Sequence, residues 1–180
     1  LILTPASLLW QWYHELYEKF AITAGIQRTE WDWNHSDILI ASLDTAKREP
    51  HASVIRKLPY DLLIIDEAHK LKNSSTIGYR FVNSIQKKYC LMLTATPIQN
   101  DLKELYNLIA LIQPGQLGSY RSFKDRFMKA KRTPKNPREL KGLLDQVMIR
   151  NRRDEETIQF TDRIVHPIVV SLSPKEQSIY

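Results

Sequence analysis

The chain has 180 residues, a hydrophobic fraction of 43%, and 26 basic against 20 acidic side chains for a formal net charge of +6. That length and apolar content suit a single ordinary domain with its own core, and the basic balance fits a polyanionic partner without requiring one. A lone cysteine, Cys90, excludes an internal disulfide, and no stretch is long and apolar enough to span a membrane as a helix. Cys90 lies in an apolar run, where a small core residue is preferred over a nucleophile. No secretory signal is visible, and a start at Leu1 inside a strand-like run suggests a piece of a longer chain.

Leu1-Ile2-Leu3 reads as a buried strand, followed by a turn at Thr4-Pro5-Ala6 and a helix capped by Ser7. Leu8, Trp12, Leu16 and Phe20 then repeat every fourth residue, with Leu9 and Tyr13 beside them, as one apolar face with Trp12 in the core and Trp10 off the stripe. A strand feeding a helix leaves free N–H groups over Thr4–Leu8, a seat for phosphate. Trp31-Asp32-Trp33 alternates as an edge strand or hairpin does; such a pair can stack on bases, but packing is the preferred reading. Ile38–Ala41 is a second buried strand. A helix starts over Leu43–Lys47, breaks at Pro50 and resumes over Ala52–Lys57, with Pro59 closing it.

The organising stretch is Asp61-Leu62-Leu63-Ile64-Ile65-Asp66-Glu67-Ala68-His69-Lys70. Its short branched apolar run reads as a strand buried on both faces, as in a parallel sheet. Asp66 and Glu67 then stand at the carboxyl end, the edge where open α/β sheets bind ligands. This placement suggests Asp66 for divalent metal and Glu67 for orienting or deprotonating an attacking water; the plain alternative is that one of them caps a helix. Ser75 is placed to cap a helix through Ile85 with Ile77, Phe81 and Ile85 on one face. Tyr89–Leu93 is another apolar strand, leading into Thr94-Ala95-Thr96-Pro97-Ile98-Gln99-Asn100. Asp101 can cap a helix carrying Leu102, Leu105, Leu108, Ile109 and Ile112, stopped by Pro114 and Gly115. Strands alternating with helices at this spacing predict an α/β fold: an open, mostly parallel sheet with helices on both faces.

Beyond Gly118 the chain turns basic. Lys131-Arg132-Thr133-Pro134-Lys135-Asn136-Pro137-Arg138 is a proline-broken loop that is either a solvated charge run or faces DNA. Leu140, Leu143, Leu144, Val147 and Met148 form a helical stripe. Ile164–Leu172 is strand-like with Pro167 inside it, and Ser173-Pro174-Lys175-Glu176 is a capping box. Two divisions are expected: 1–117, and a basic, mainly helical extension over 118–180.

The tetrad Asp66-Glu67-Ala68-His69 resembles motif II of the DEAH-type members of helicase superfamily two. Leu93-Thr94-Ala95-Thr96-Pro97-Ile98-Gln99-Asn100, followed by Leu102, Glu104, Leu105 and Leu108, resembles motif III of the Swi/Snf family of DNA-translocating ATPases. Leu1-Ile2-Leu3-Thr4-Pro5-Ala6-Ser7-Leu8-Leu9-Trp10-Gln11-Trp12 resembles its motif Ia, and Ile38-Leu39-Ile40-Ala41-Ser42-Leu43-Asp44 its motif Ib in the bacterial branch. Ile149-Arg150-Asn151-Arg152-Arg153 is similar to the family's following arginine-bearing segment, with Asn151 in place of its usual second arginine. The resemblance implies a RecA-like first lobe, ATP and Mg2+ as cofactors, double-stranded DNA as partner, and protein partners such as RNA polymerase or remodelling subunits. It implies a cytoplasmic, nucleoid-associated setting in a bacterium, or a nuclear one in a eukaryote.

The expected roles follow. Asp66 holds metal; Asp66, Glu67 and His69 are catalytic; Thr94, Thr96 and Gln99 couple nucleotide to DNA. Thr4, Pro5, Lys70, Lys72, Lys131, Arg132 and Lys135 contact DNA phosphates. A P-loop needs Gly-x-x-x-x-Gly-Lys, yet none of Gly25, Gly78, Gly115, Gly118 or Gly142 precedes a lysine. In the family that loop lies upstream of motif Ia, so this chain alone is expected to be inactive as an ATPase, and loss of a strand beside the central one is expected to expose an edge or leave a gap. The alternatives are a non-catalytic lobe that only binds nucleic acid or protein, a restriction-enzyme motor subunit, and a zinc hydrolase, the last disfavoured because no His-Glu-x-x-His or cysteine cluster occurs.

Overall fold

The structure, a computed structural model, describes residues 1–95 and 101–149. Five strands form one sheet: β1 (Ile2–Thr4), β2 (Gly25–Ile26), β3 (Leu39–Ser42), β4 (Tyr60–Ile65) and β5 (Lys87–Met92), in the order β2-β3-β1-β4-β5. Every pairing is parallel, with Leu3 opposite both Ala41 and Ile65, and Ile64 opposite Leu91. The expected α/β architecture is therefore present, and all carboxyl ends share one edge. β1 sits between β3 and β4, so the chain lays strands to one side of β1 and then to the other, the arrangement that opens a ligand crevice at that edge.

The helices are α1 (Leu9–Phe20), α2 (Asp32–His35), α3 (Leu43–Ala46), α4 (His51–Ile55), α5 (Ile77–Ser84), α6 (Leu102–Ile112), α7 (Tyr120–Phe127) and α8 (Pro137–Leu144), with single 3-10 turns at Ala6–Leu8 and Ala68–Leu71. One sheet face buries Leu3, Ala41, Leu63 and Ile65 against Ala46, Ile55, Phe81, Val82 and Leu108 from α3 to α6. The other buries Ile2 and Ile40 under Leu9, Trp12, Tyr13 and Leu16 of α1.

α1 covers only part of that second face. The central strand is thus not buried on both sides as its unbroken apolar run predicts: Leu63 and Ile65 are buried, but Leu62 is 42% exposed and Leu91 of the neighbouring strand 47%. Strand alternation places Leu62 and Ile64 on the α1 side, where α1 does not reach β5. Of the two expected outcomes, an exposed edge or a gap, no gap opens beside the central strand, because β4 pairs with β1 and β5; the described sheet edges are β2 and β5, and on β5 Tyr89 and Leu91 are exposed.

Other local expectations shift. Ser7 does not cap a helix; it lies in the 3-10 turn, and α1 starts at Leu9 without a side-chain cap. Phe20 is 68% exposed, because α1 ends there with Ala21 in the left-handed region (φ 53°) and bonded back to Tyr17. Trp31-Asp32-Trp33 belongs to a helical turn, not a strand: Asp32 Oδ2 accepts from the N–H groups of Arg28 and Thr29 and holds the entry to α2. Trp33 is buried, whereas Trp31 is exposed and stacks on His35. α5 is capped by Thr76 rather than Ser75, and Ile77 faces solvent while Phe81, Val82 and Ile85 are buried. Asp101 caps α6 as expected, accepting from Glu104 N at 3.0 Å.

α6 is hydrophobic on two sides. One packs Leu108 and Leu111 on the sheet; the other gathers Leu102, Leu105 and Ile109 with Phe123 and Phe127 of α7 and Leu140 and Leu144 of α8. Leu1–Met148 consequently forms one compact unit, and the expected division at 117/118 falls inside it. The second unit, Ile149–Tyr180, lies outside the described residues apart from exposed Ile149. The arginine-bearing segment, the Ile164–Leu172 run and the Ser173 capping box fall there, as Thr96 and Gln99 fall in the other undescribed stretch. No described helix is long and apolar enough to cross a membrane.

Candidate active site

β4 delivers Asp66 to the carboxyl edge, where its N–H donates to Leu3 O at 2.8 Å and continues the ladder with β1. The carboxylate is held from three directions: Oδ2 accepts from Trp12 Nε1 at 2.9 Å and from Thr4 Oγ1 at 3.4 Å, and Oδ1 accepts from Glu67 N at 2.8 Å. Glu67 then takes a left-handed backbone (φ 51°, ψ 44°), uncommon for a residue with a side chain. That turn lets Ala68 N donate to Leu93 O, so the tetrad's backbone closes onto the strand after it.

The Glu67 carboxylate lies 3.0 Å from His69 Nδ1, and Thr94 Oγ1 lies 3.4 Å from the same nitrogen. A carboxylate only accepts, so the hydrogen on Nδ1 is assigned to the ring. His69 thereby joins the acid after β4 to the hydroxyl after β5. The structure brings Glu67, His69 and Thr94 together beside Asp66.

No described cluster of three or more His, Cys, Asp or Glu residues is arranged to hold a metal. The one carboxylate at Asp66 instead suits a hard cation that keeps several waters and shares substrate phosphates, as Mg2+ does. A small cavity of about 220 Å3 opens beside Asp66, lined by Pro5, Asp44, Lys47, Lys70 and Thr76 among others. Lys47 hydrogen-bonds Asp44 at 2.5 Å and holds that carboxyl below its ordinary range.

The expected DNA contacts divide. Thr4 is fully buried, with its hydroxyl on Asp66, so its side chain has no surface to offer a phosphate; Pro5 and exposed Lys70 border the cavity. Lys72 pairs with Glu104 of α6 at 3.2 Å. Lys131, Arg132 and Lys135 are exposed on a folded turn in which Met128 bridges Pro134, Lys131 O accepts from Leu102 N, and Lys135 N donates to Phe127 O. This turn is tied to the first residue of α6, just after the segment containing Thr96 and Gln99.

Sequence reasoning missed three contributors. Trp12 packs in the core as its place on the apolar stripe predicts, but its indole also grips Asp66. Asn107, buried on α6, donates to Lys72 O at 2.8 Å, and Glu104 holds the Lys72 side chain. For Asn107 and Glu104 the available signal was polarity on an otherwise apolar helix.

A family model, the SNF2-related domain, matches residues 1–180. The chain is 50% identical over 180 residues to the ATP-dependent helicase YqhH of Bacillus subtilis, covering all of this chain and 32% of that protein. It is 28% identical over 211 residues to the mouse DNA repair and recombination protein RAD54-like, covering 99% of this chain and 28% of that one. Among solved structures it is similar to the Sulfolobus solfataricus SWI2/SNF2 ATPase core in complex with dsDNA, at 27% identity and a TM-score of 0.72 over 86% of this chain and 34% of that one. The chain spans about a third or less of the length of these relatives. With a family model matching from end to end and the acidic tetrad seated at the carboxyl edge of a parallel sheet, the chain belongs to the SNF2-related family.

Proposed function

We propose that the chain carries the metal and water half of the hydrolytic site in an ATP-driven motor that moves on double-stranded DNA. The observation that carries this reading is the bridge at His69: one ring nitrogen faces both Glu67 and Thr94, making a single polar unit from two strand ends. Family membership, and a structural relative solved in complex with dsDNA, support it.

Asp66 is the residue that holds Mg2+, which when bound supplies charge neutralisation for the phosphates. Glu67 accepts a proton from the water that attacks the terminal phosphorus as the bond to the bridging oxygen breaks. His69 fixes the Glu67 carboxylate, and Thr94, with Thr96 and Gln99, passes the state of the nucleotide to the DNA side. Phosphoryl transfer rests almost wholly on positioning and charge. The chain holds no Gly-x-x-x-x-Gly-Lys loop, so the phosphate cradle is contributed by another part of the full-length protein and these 180 residues alone do not hydrolyse ATP. Pro5, Lys70 and the 131–135 turn are the phosphate-facing groups on DNA.

The test uses the full-length protein. Glu67→Gln keeps nucleotide affinity and abolishes hydrolysis, because shape is retained and the base is lost, whereas Asp66→Ala weakens binding of metal-nucleotide. Wild-type turnover in Glu67→Gln would sink the catalytic assignment; unchanged metal-nucleotide affinity in Asp66→Ala would sink the metal assignment.

A further inference from the structure

We infer that Trp12 is a positioning residue for the metal-holding carboxylate: its indole N–H, with the Thr4 hydroxyl, anchors Oδ2 of Asp66 from the β1–α1 unit. The inference rests on the reading of Asp66 as the Mg2+ residue and extends it to a helix with no part in the chemistry. Trp12 lies 54 positions from Asp66 in sequence, on the face of α1 that packs against Ile2 and Ile40. A packing role alone needs only the rings. The indole N–H instead meets a carboxylate oxygen at 2.9 Å, and the buried Thr4 hydroxyl approaches the same oxygen.

Both donors on Oδ2 come from the strand end and helix that follow one another in the chain, while Oδ1 is bound by the backbone of Glu67. The carboxylate is therefore oriented by two independent parts of the fold. A carboxylate ligand restrained in this way meets the cation in its productive rotamer, and loss of partners of this kind typically costs about 10–100-fold in metal affinity or activity. Losing the N–H frees the Asp66 side chain to rotate and leaves the Thr4 hydroxyl as the sole side-chain donor on Oδ2.

The experiment measures, in the full-length protein, the Mn2+ concentration that half-saturates binding of a fluorescent ADP. Trp12→Phe keeps an aromatic ring in the core but removes the donor, and is expected to raise that concentration roughly tenfold. Thr4→Val, which keeps the shape and removes the hydroxyl, shifts it in the same direction by less. ADP binding in EDTA stays unchanged in both. Leu16→Ala, a packing change on the same face of α1, lowers the melting temperature and leaves the half-saturation point where it is. A wild-type half-saturation point in Trp12→Phe, with metal dependence lost in Asp66→Ala, overturns the positioning role alone. Metal dependence retained in Asp66→Ala overturns the metal assignment and this inference with it. Should Trp12→Phe fail to fold, Thr4→Val decides: a shift supports the anchor on Oδ2, and no shift refutes it.

Discussion

The turn after the acidic tetrad is pinned by α6 as well as by its own backbone bonds, and Asn107→Leu isolates the α6 pin. Asn107 is 5% exposed; its Nδ2 donates to Lys72 O at 2.8 Å, and its backbone oxygen accepts from Tyr79 OH at 3.3 Å. Leucine keeps similar bulk on the helix and leaves the Tyr79 contact in place, so the change removes one donor from the Lys72 carbonyl. Withdrawing a donor from a half-buried carbonyl costs about 1–3 kcal/mol. At tenfold per 1.4 kcal/mol, opening of the turn should become about 5- to 150-fold more frequent. The assay is hydrogen exchange by mass spectrometry on the full-length protein, following the peptide that spans Glu67 to Asn73. That peptide should exchange faster by this factor, and kcat should fall with it, because the same turn carries Glu67 and His69. If it exchanges at the wild-type rate while overall stability drops, Asn107 serves packing alone and the pin does not exist.

Phe123→Ala should cost about 3–5 kcal/mol, since the ring is fully buried against Tyr106 and Phe127; faster exchange should then appear in α6 as well as in α7 and α8, and acceleration confined to residues 118–148 would separate the two divisions. The Tyr60 hydroxyl is buried and has no hydrogen-bond partner among the described residues, and burial pushes its pKa up to about 12. Its folded value lies above the unfolded value of about 10, so its contribution to stability is whole below that pH and is lost as pH rises toward the folded value. Tyr60→Phe should therefore be neutral or stabilising by about 1 kcal/mol and should flatten the alkaline loss, and an identical alkaline unfolding curve would contradict the burial argument. Neutralising Lys131, Arg132 and Lys135 together should lower the slope of log affinity for duplex DNA against log salt by about 0.9 per phosphate contact removed, and an unchanged slope returns the turn to plain solvation.

Much of the fold was legible because its signals are local. β1, β3, β4 and β5 are short branched apolar runs, α6 begins at an aspartate that caps it, and Pro59 and Pro114 mark boundaries. The failures are local too. Three alternating residues around Trp31 cannot distinguish a strand from a helical turn, and here the side chain of Asp32 decided for the turn by capturing the Arg28 and Thr29 amides. Ser75 and Thr76 are adjacent hydroxyl residues, and only the path of the chain selects which one meets the free N–H of Tyr79. Phe20 continues the stripe of α1, but its period carries no information about where the helix runs out of sheet to cover.

The strand–helix alternation, the acidic tetrad at a strand end and hence the family can be read from the chain alone, because each is written in neighbouring residues or in a fixed spacing. Tertiary structure alone decided what holds the site. The indole of Trp12 on Asp66, the amide of Asn107 on Lys72 and the ring of His69 between Glu67 and Thr94 join residues 54, 35 and, for His69 to Thr94, 25 positions apart. It also decided that Leu62 and Leu91 remain open while Leu63 and Ile65 are buried, since a run of apolar residues looks the same whether one face of its strand is covered or two, and coverage depends on which helix the folded chain lays there.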